Sequence, residues 1–350
     1  MRYLTEPNVT VLIITYRRPH TLRLVLEGLK RQSYRDFELV VVIKEPCDEA
    51  NKLLEDYGRV YCLNVVIQKS GFAPEAFDMG IEVARGQIIV FLDDDAVPES
   101  NWLEAHVKTY DEHEGLGGVA GNDILAKIAS DGSLVPLPEL TVSSTKLYLD
   151  WMKHNYISRP LRRMSNWLTF FGRDGLVHHN PKALLKDELK ESVPSLLFLG
   201  ANMSVKKEAI KGFRLSESLT VTSFLFEQHL SYPILQRGYN IIYNPDPKVW
   251  HIVHPESLGR FFQKPISAAI RDAEYILSFY AIKQFEPEVS WMSYITELSL
   301  LIVGRFLGAR KYGFKISIYR IYGLLYGFII GALEDKKAVR NSLVKMFKSK

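Results

Sequence analysis

Through its first hundred residues the chain alternates two hydrophobic periods. Residues 9–15 (VTVLIIT) form a short β-branched apolar run, the pattern of a strand buried on both faces. Residues 19–32 then place Leu22, Val25, Leu26 and Leu29 at helical spacing, with Thr21 near the start. The alternation continues with a strand at 37–43 (FELVVVI), a polar helix at 48–57, a strand at 63–68, a helix at 76–84 and a strand at 87–92 (QIIVFL). Strands and helices joined by short connections predict an α/β fold, a doubly wound and mostly parallel sheet with flanking helices. Such sheets bind ligands at the carboxyl ends of their strands. The residues just past Thr15, Ile43, Gln68 and Leu92 are therefore the first candidates for a site.

Beyond residue 101 the pattern loosens. Residues 115–122 (GLGGVAGN) read as a turn and a short strand, and 141–190 show no clean period. Order resumes at 195–205, followed by a short helix at 208–211, a helix at 224–237, a strand at 239–243 and a strand-like piece at 247–250. After Pro255 the chain reads as helical and increasingly apolar. Residues 291–309 and 316–333 approach the character of membrane spans, but Glu297, Arg305 and Arg320 interrupt them. A charge inside the hydrocarbon costs about 2.5–3.5 kcal/mol even on a lenient scale. With Arg310, Lys311 and Lys315 between them and a basic 336–350 behind, these helices are expected to lie in the interface of an anionic leaflet. A helical subdomain or a dimer interface is the alternative, and oligomeric state stays open.

Composition narrows the class. A chain of 350 residues has room for a large α/β domain and an appendage, and a net charge of +4 excludes a general nucleic-acid binder. The two cysteines, Cys47 and Cys62, make neither a zinc set nor a disulfide scaffold, which suits a reducing cytoplasm. Residues 1–10 carry Arg2, Glu6 and Pro7 and lack the apolar core of a signal peptide, so export is not expected. The Asn202-Met203-Ser204 sequon is accordingly read as chance.

The strongest chemical signal is FLDDDAVP, residues 91–98. Three adjacent carboxylates after a buried strand repel one another. A divalent cation bridging them to a diphosphate would relieve that repulsion and stabilise a departing nucleotide. A solvated acidic turn is the plainer alternative, disfavoured by its place at a strand's carboxyl end.

Four ordered pieces carry a resemblance: TYRRPHTLRLVLEGLKRQSY, KSGFAPEAFDMGIEVARGQIIVFLDDDAVPESNWLE, LGANMSVKKEAIKGF and FEQHLSYPILQRGYNIIYNPDPKVWH. In order and spacing they resemble the family 2 glycosyltransferases, which are inverting and have the GT-A fold, a Rossmann-like sheet. The resemblance implies that Thr15, Tyr16 and Arg17 line the nucleotide pocket. It implies that Asp93 and Asp94 hold the ribose and its surroundings, and that Asp95 ligates Mn²⁺ or Mg²⁺. Glu227 falls at the general-base position, with Asp123 or Asp174 next in line, and His251 matches a His that completes the metal site. His254 is a weaker metal candidate. Gly200 and Asn202 fall where the family shapes its acceptor pocket.

Departures accompany the likeness. Where the family shows an Asp pair after the second strand, this chain reads Lys44-Glu45-Pro46-Cys47-Asp48. Glu45 can still accept a hydrogen bond from a uracil or guanine N–H. Asp78, expected with Glu45 among the nucleotide-sugar-binding residues, stands where Asn is common, and Gln228 and His229 replace residues that are often acidic. The resemblance thus implies a metal-dependent inverting transferase using a nucleotide-diphosphate sugar on a lipid-linked or surface-polymer glycan, peripheral on the cytoplasmic membrane face. Its expected organisation is a catalytic domain at 1–254, with halves at 1–122 and 123–254, and a helical C-terminal region at 255–350. A polyprenyl-phosphate glycosyltransferase is the near alternative. A nucleotidyltransferase would want a Gly-rich loop where TYRRPHT has no glycine, and a non-catalytic scaffold would not need both the Asp triplet and Glu227.

Overall fold

The computed structural model describes residues 7–59, 61–137, 169–171, 177–179, 191–198, 201–222, 225–253, 264–283, 290–309 and 313–348. Gly200, Asp174, His254 and most of 141–190 lie outside them. The N-terminal half follows the sequence pattern closely: β1 (Val9–Tyr16), α1 (Pro19–Lys30), β2 (Phe37–Lys44), α2 (Asp48–Gly58), β3 (Leu63–Gln68), α3 (Ala73–Val83) and β4 (Ile88–Leu92). β1 lies between β2 and β4, β3 flanks β2, and all four run parallel. The β-branched side chains of β1, β2 and β4 are buried on both faces, in two cores on opposite sides of the sheet, whereas Val65 and Ile67 of the edge strand β3 are exposed.

The second half is where structure and pattern part. β5 (Ala96–Pro98) follows the Asp triplet at once, and α4 (Trp102–Glu112) occupies a stretch where the hydrophobic period was weak. β6 (Leu116–Ile128) is longer than its glycine-rich start suggested. The short strands β7 (Leu134–Pro136), β8 (Thr169–Phe171), β9 (Val177–His179) and β10 (Val193–Pro194) precede β11 (Asn202–Lys206). β11 runs antiparallel between β4 and β6, so the large sheet is mixed, in the order β10, β12, β6, β11, β4, β1, β2, β3. After α5 (Phe226–Gln236), the pieces expected at 239–243 and 247–250 form one strand, β12 (Asn240–Ile252). Its register against β6 shifts between Tyr243 and Lys248. Pro245 and Pro247 fall in that interval and offer no N–H to a ladder.

Behind this junction lies a buried polar knot. The Asn202 side chain donates to the carbonyls of Asn122 (3.0 Å) and Pro247 (2.8 Å). Its Oδ1 accepts from Trp102 Nε1 at 2.8 Å and from His106 Nε2 at 3.0 Å. Since that oxygen can only accept, His106 carries its proton on Nε2 and takes the Ser204 hydroxyl on Nδ1 at 2.9 Å. Burial pushes the His106 imidazole down to about 4, keeping it neutral. The knot fits only because residue 121 is glycine: a Cβ there would lie 2.3 Å from Asn202 Nδ2.

The C-terminal helices are α6 (Pro265–Lys283), α7 (Trp291–Leu307), α8 (Phe314–Leu333) and α9 (Lys336–Lys348). The charges that interrupt the apolar runs point inward. Arg305 from α7 and Arg320 from α8 both grip Asp272 of α6, with contacts of 3.1–3.2 Å and 2.7–3.2 Å respectively. Asp272 is 3% exposed and Glu297 2%. Arg305, Arg320 and Glu297, read in the sequence as interruptions of an apolar span, are thus turned into the helical bundle. α8 also packs very tightly on α6, because a Cβ on Gly323 or Gly327 would meet the carbonyl oxygen of Ala269 or Ala273 at 2.0 and 2.6 Å. Aromatic rings pack in the same place, where Phe279 and Tyr294 stack with ring centroids 3.6 Å apart.

Polar contacts also tie these helices to the rest of the protein. Glu274 of α6 accepts hydrogen bonds from the backbone N–H groups of Val221 (2.7 Å) and Thr222 (3.0 Å) and from the Thr220 hydroxyl (3.2 Å). Arg340 of α9 reaches Glu75 of α3 and the Thr220 carbonyl.

Substituting Gly121 by Ala should lower the free energy of unfolding by about 1–3 kcal/mol, the usual cost of overpacking. Urea denaturation of the two proteins measures it, and an unchanged midpoint would mean that Asn202 is not held as described.

Candidate active site

β4 delivers Asp93, Asp94 and Asp95 to the carboxyl edge of the sheet, and each meets a different environment. The chain turns directly into β5, whose antiparallel pairing with β12 sets Ala96 opposite His251. Two backbone bonds fix the turn: Ala96 N–H to the Asp93 carbonyl at 3.1 Å, and Ile252 N–H to the Asp95 carbonyl at 2.8 Å. His251 is thereby brought to the triplet from a point more than 150 residues away along the chain.

Asp94 is buried and accepts from the Thr15 hydroxyl at 2.7 Å and from Arg18 Nη1 at 3.1 Å. The same Arg18 nitrogen reaches Asp95 Oδ2 at 2.7 Å. The other Asp95 oxygen lies 3.3 Å from His251 Nε2, and His251 Nδ1 lies 3.3 Å from Asp123 Oδ2. Asp93, Asp95 and His251 each offer a ligand atom, all within 4.8 Å of one another. Two carboxylates and an imidazole suit a divalent cation of the Mn²⁺ kind.

The electrostatics fit the same reading. Burial, reinforced by Asp95, Asp94 and Asp123, pushes the Asp93 carboxyl up to about 7, with His251 pulling the other way. Burial also raises Asp94, against the opposing pull of Arg18 and Thr15. Burial alone would lower His251, but Asp123 and Asp95 outweigh it and hold the imidazole well above its ordinary value. Glu227, in the first turn of α5, is pushed up to about 8, mainly by burial and further by Asp93 and Asp123. The candidate base therefore shares one electrostatic field with the candidate metal ligands.

At the ends of β1 and β2, Tyr16, Arg17 and Glu45 come together. Arg17 and Glu45 form an ion pair, and both have positive φ, 55° and 51°. The Arg17 guanidinium lies 5.1 Å from the Tyr16 ring centroid. Tyr16 is 47% exposed, open to a planar ligand.

Two expected site residues have other work. Asp78 is buried, and its oxygens accept the N–H groups of Leu215 and Ser216 at 2.7 and 2.9 Å, which anchors a short turn rather than a donor. Asn202 is fully buried in the knot behind β4, with both amide protons and its oxygen committed, so it does not face an acceptor. In the other direction, the sequence reading overlooked Arg18 and gave Asp123 only as a reserve base. The available signal for Arg18 was electrostatic: an acidic triplet calls for a cation near it, and TYRRPHT supplies two at a neighbouring strand end.

Residues 10–122, which contain β1 through the Asp triplet, match the family described as Glycosyl transferase family 2. Over those residues the chain is similar to a family 2 glycosyltransferase domain. The full chain resembles, at the level of fold, the mannosyltransferase PcManGT from Pyrobaculum calidifontis, solved with GDP-Man and Mn²⁺. The TM-score is 0.52 at 16% identity, over 94% of this chain and 88% of that one. It also resembles GalNAc-T7, solved with UDP, GalNAc and Mn²⁺, with a TM-score of 0.54 at 14% identity over 99% of this chain and 58% of that one. These likenesses give the chain a GT-A fold. Among proteins of known role, the chain is 26% identical over 133 residues to the glucosyl-dolichyl phosphate glucuronosyltransferase of Haloferax volcanii. That alignment spans 37% of this chain and 42% of the relative, under half its length.

A titration follows for metal-free protein. A carboxyl whose folded value is raised from 3.8 to about 7 contributes most favourably below its unfolded value, and loses that contribution as pH climbs to about 7. Asp93→Asn, in chelator, should therefore gain stability relative to wild type between about pH 4 and 7 and level off above. Thermal midpoints read the gap, which added Mn²⁺ should narrow at pH 8. A gap independent of pH would remove the strain assigned to Asp93.

Proposed function

We propose that this protein is a metal-dependent inverting glycosyltransferase that moves a sugar from a nucleotide-diphosphate sugar to a hydroxyl of a lipid-linked or surface-polymer glycan. The observation that carries the reading is the convergence of Asp93, Asp95 and His251 beside Glu227 at the carboxyl edge of the sheet. Asp93, Asp95 and His251 would hold Mn²⁺, or Mg²⁺ in its place, and the cation supplies positive charge to the departing diphosphate. Thr15, Tyr16, Arg17 and Glu45 line the nucleotide side, with the Tyr16 ring offered to the base. Asp94 keeps Thr15 and Arg18 in position.

Glu227 is the base. It takes the proton of the acceptor hydroxyl as that oxygen attacks the anomeric carbon from the face opposite the diphosphate. Burial pushes its value up to about 8, which makes its ionised form a stronger proton acceptor than an ordinary carboxylate.

Residues 1–254 form the catalytic unit in this reading, and 255–350 hold it to a membrane on the cytoplasmic side. α8 is the one described helix long and apolar enough to cross a bilayer, with a mean hydropathy of 1.6, and a third of it is buried against the protein. On α7 and α8, Met292, Phe306, Phe314 and Leu333 are 78%, 62%, 64% and 80% exposed. An apolar face this wide, with a basic α9 beside it, suits a helix pair lying in a membrane interface. The dolichyl phosphate in the name of the archaeal relative agrees with an acceptor carried on lipid.

Two substitutions separate the roles. Asp95→Ala should abolish the Mn²⁺ dependence of nucleoside-diphosphate binding. Glu227→Gln should leave that binding close to wild type while turnover falls by about 10²–10⁴-fold. Calorimetry and nucleoside-diphosphate release measure the two, and near-normal turnover in Glu227→Gln would place the base elsewhere. Full-length protein should also co-sediment with vesicles rich in phosphatidylserine, less so as salt rises. Protein that stays in the supernatant at low salt would refute the membrane surface.

A further inference from the structure

A histidine that ligates a cation has two requirements. The nitrogen facing the cation must be unprotonated, and the ring must be held so that its lone pair points the right way. Both are met when the second nitrogen donates its proton to a fixed acceptor. In this protein the second nitrogen of His251 faces Asp123, with Nδ1 and Oδ2 3.3 Å apart, while Nε2 faces Asp95.

The fold makes that arrangement reproducible. Past the shift in β12 the parallel ladder resumes with Lys248 opposite Asn122, Val249 opposite Asp123 and His251 opposite Leu125. Residues two apart on a strand share a face, so Asp123 and His251 are diagonal neighbours on one face of the sheet. Asp123 has a side chain only 11% exposed, and it does not itself fall within the close ligand group of Asp93, Asp95 and His251.

We propose that Asp123 is a positioning residue for the metal centre: it accepts the Nδ1 proton of His251, fixes the tautomer, and aims Nε2 at the cation. The inference rests on reading Asp93, Asp95 and His251 as the metal ligands. It assigns Asp123 a function distinct from that of the base Glu227. An amide at position 123 can donate to Nδ1 instead of accepting from it, which moves the proton to Nε2 and blocks ligation.

Mn²⁺ affinity of the full-length protein, read by electron paramagnetic resonance of the free ion with UDP or GDP present, tests this without turnover. His251→Ala should weaken binding. Asp123→Asn should weaken it by about 10–100-fold, the usual effect of losing such a partner. Asp123→Glu should restore most of it, and Asp123→Asn should add little once His251 is Ala. Pulsed resonance should show the nitrogen coupling of a bound imidazole in wild type and its loss in Asp123→Asn. Wild-type Mn²⁺ affinity in Asp123→Asn overturns the proposal, as does a full additional loss in the His251→Ala background. Undiminished affinity in His251→Ala overturns the ligand set itself. A fall in turnover with Mn²⁺ binding intact would make Asp123 a base and also overturn it.

Discussion

Repulsion among carboxylates is the constraint around which this molecule is arranged. Asp93, Asp94 and Asp95 leave β4 together, and Asp123 and Glu227 approach from β6 and α5. Packed in partial isolation from water, such charges raise one another's energy steeply. The protein answers with two cations in different places. Arg18 spans Asp94 and Asp95 from one side, and His251 spans Asp95 and Asp123 from the other. Neither cation reaches the Asp93 carboxylate within salt-bridge distance among the described residues, and Asp93 is one of the carboxyls pushed furthest up. The site is thus built with a deficit of positive charge at the position where a divalent ion would sit.

The sheet's N-terminal half was plain in the sequence because β1, β2 and β4 are buried on both faces and the helices between them are amphipathic. Leu22, Val25, Leu26 and Leu29 give α1 away without further help. The Asp triplet was equally legible, since its position at the end of a buried run carries the meaning. Glu227 and His251 came only through resemblance. Nothing local distinguishes one glutamate in a first helical turn, or one histidine at a strand end.

What stayed hidden was set by long-range pairing. Asn202 looked like a residue free to touch a sugar, but β11 inserts between β4 and β6 and buries it against Trp102 and His106. Asp78 is held by a turn more than 130 residues away. In the tail, Arg305 and Arg320 read as obstacles to burial because their partner, Asp272, lies on another helix. One buried acid satisfies two arginines, and no periodicity announces such a triad.

Glu274 gives the C-terminal helices a significance beyond their apolar surface. Its carboxylate closes the backbone of residues 221 and 222, a few residues ahead of the helix that bears Glu227. Peptide groups in that loop have their acceptor on α6, so without α6 they would have to be rehydrated or find another partner. The helices and the sheet are for this reason coupled through the loop at residues 220–222. A shortened chain ending near residue 254 would lose the loop's ordering along with the helices, and with it the fixed approach of α5 to the carboxylate cluster.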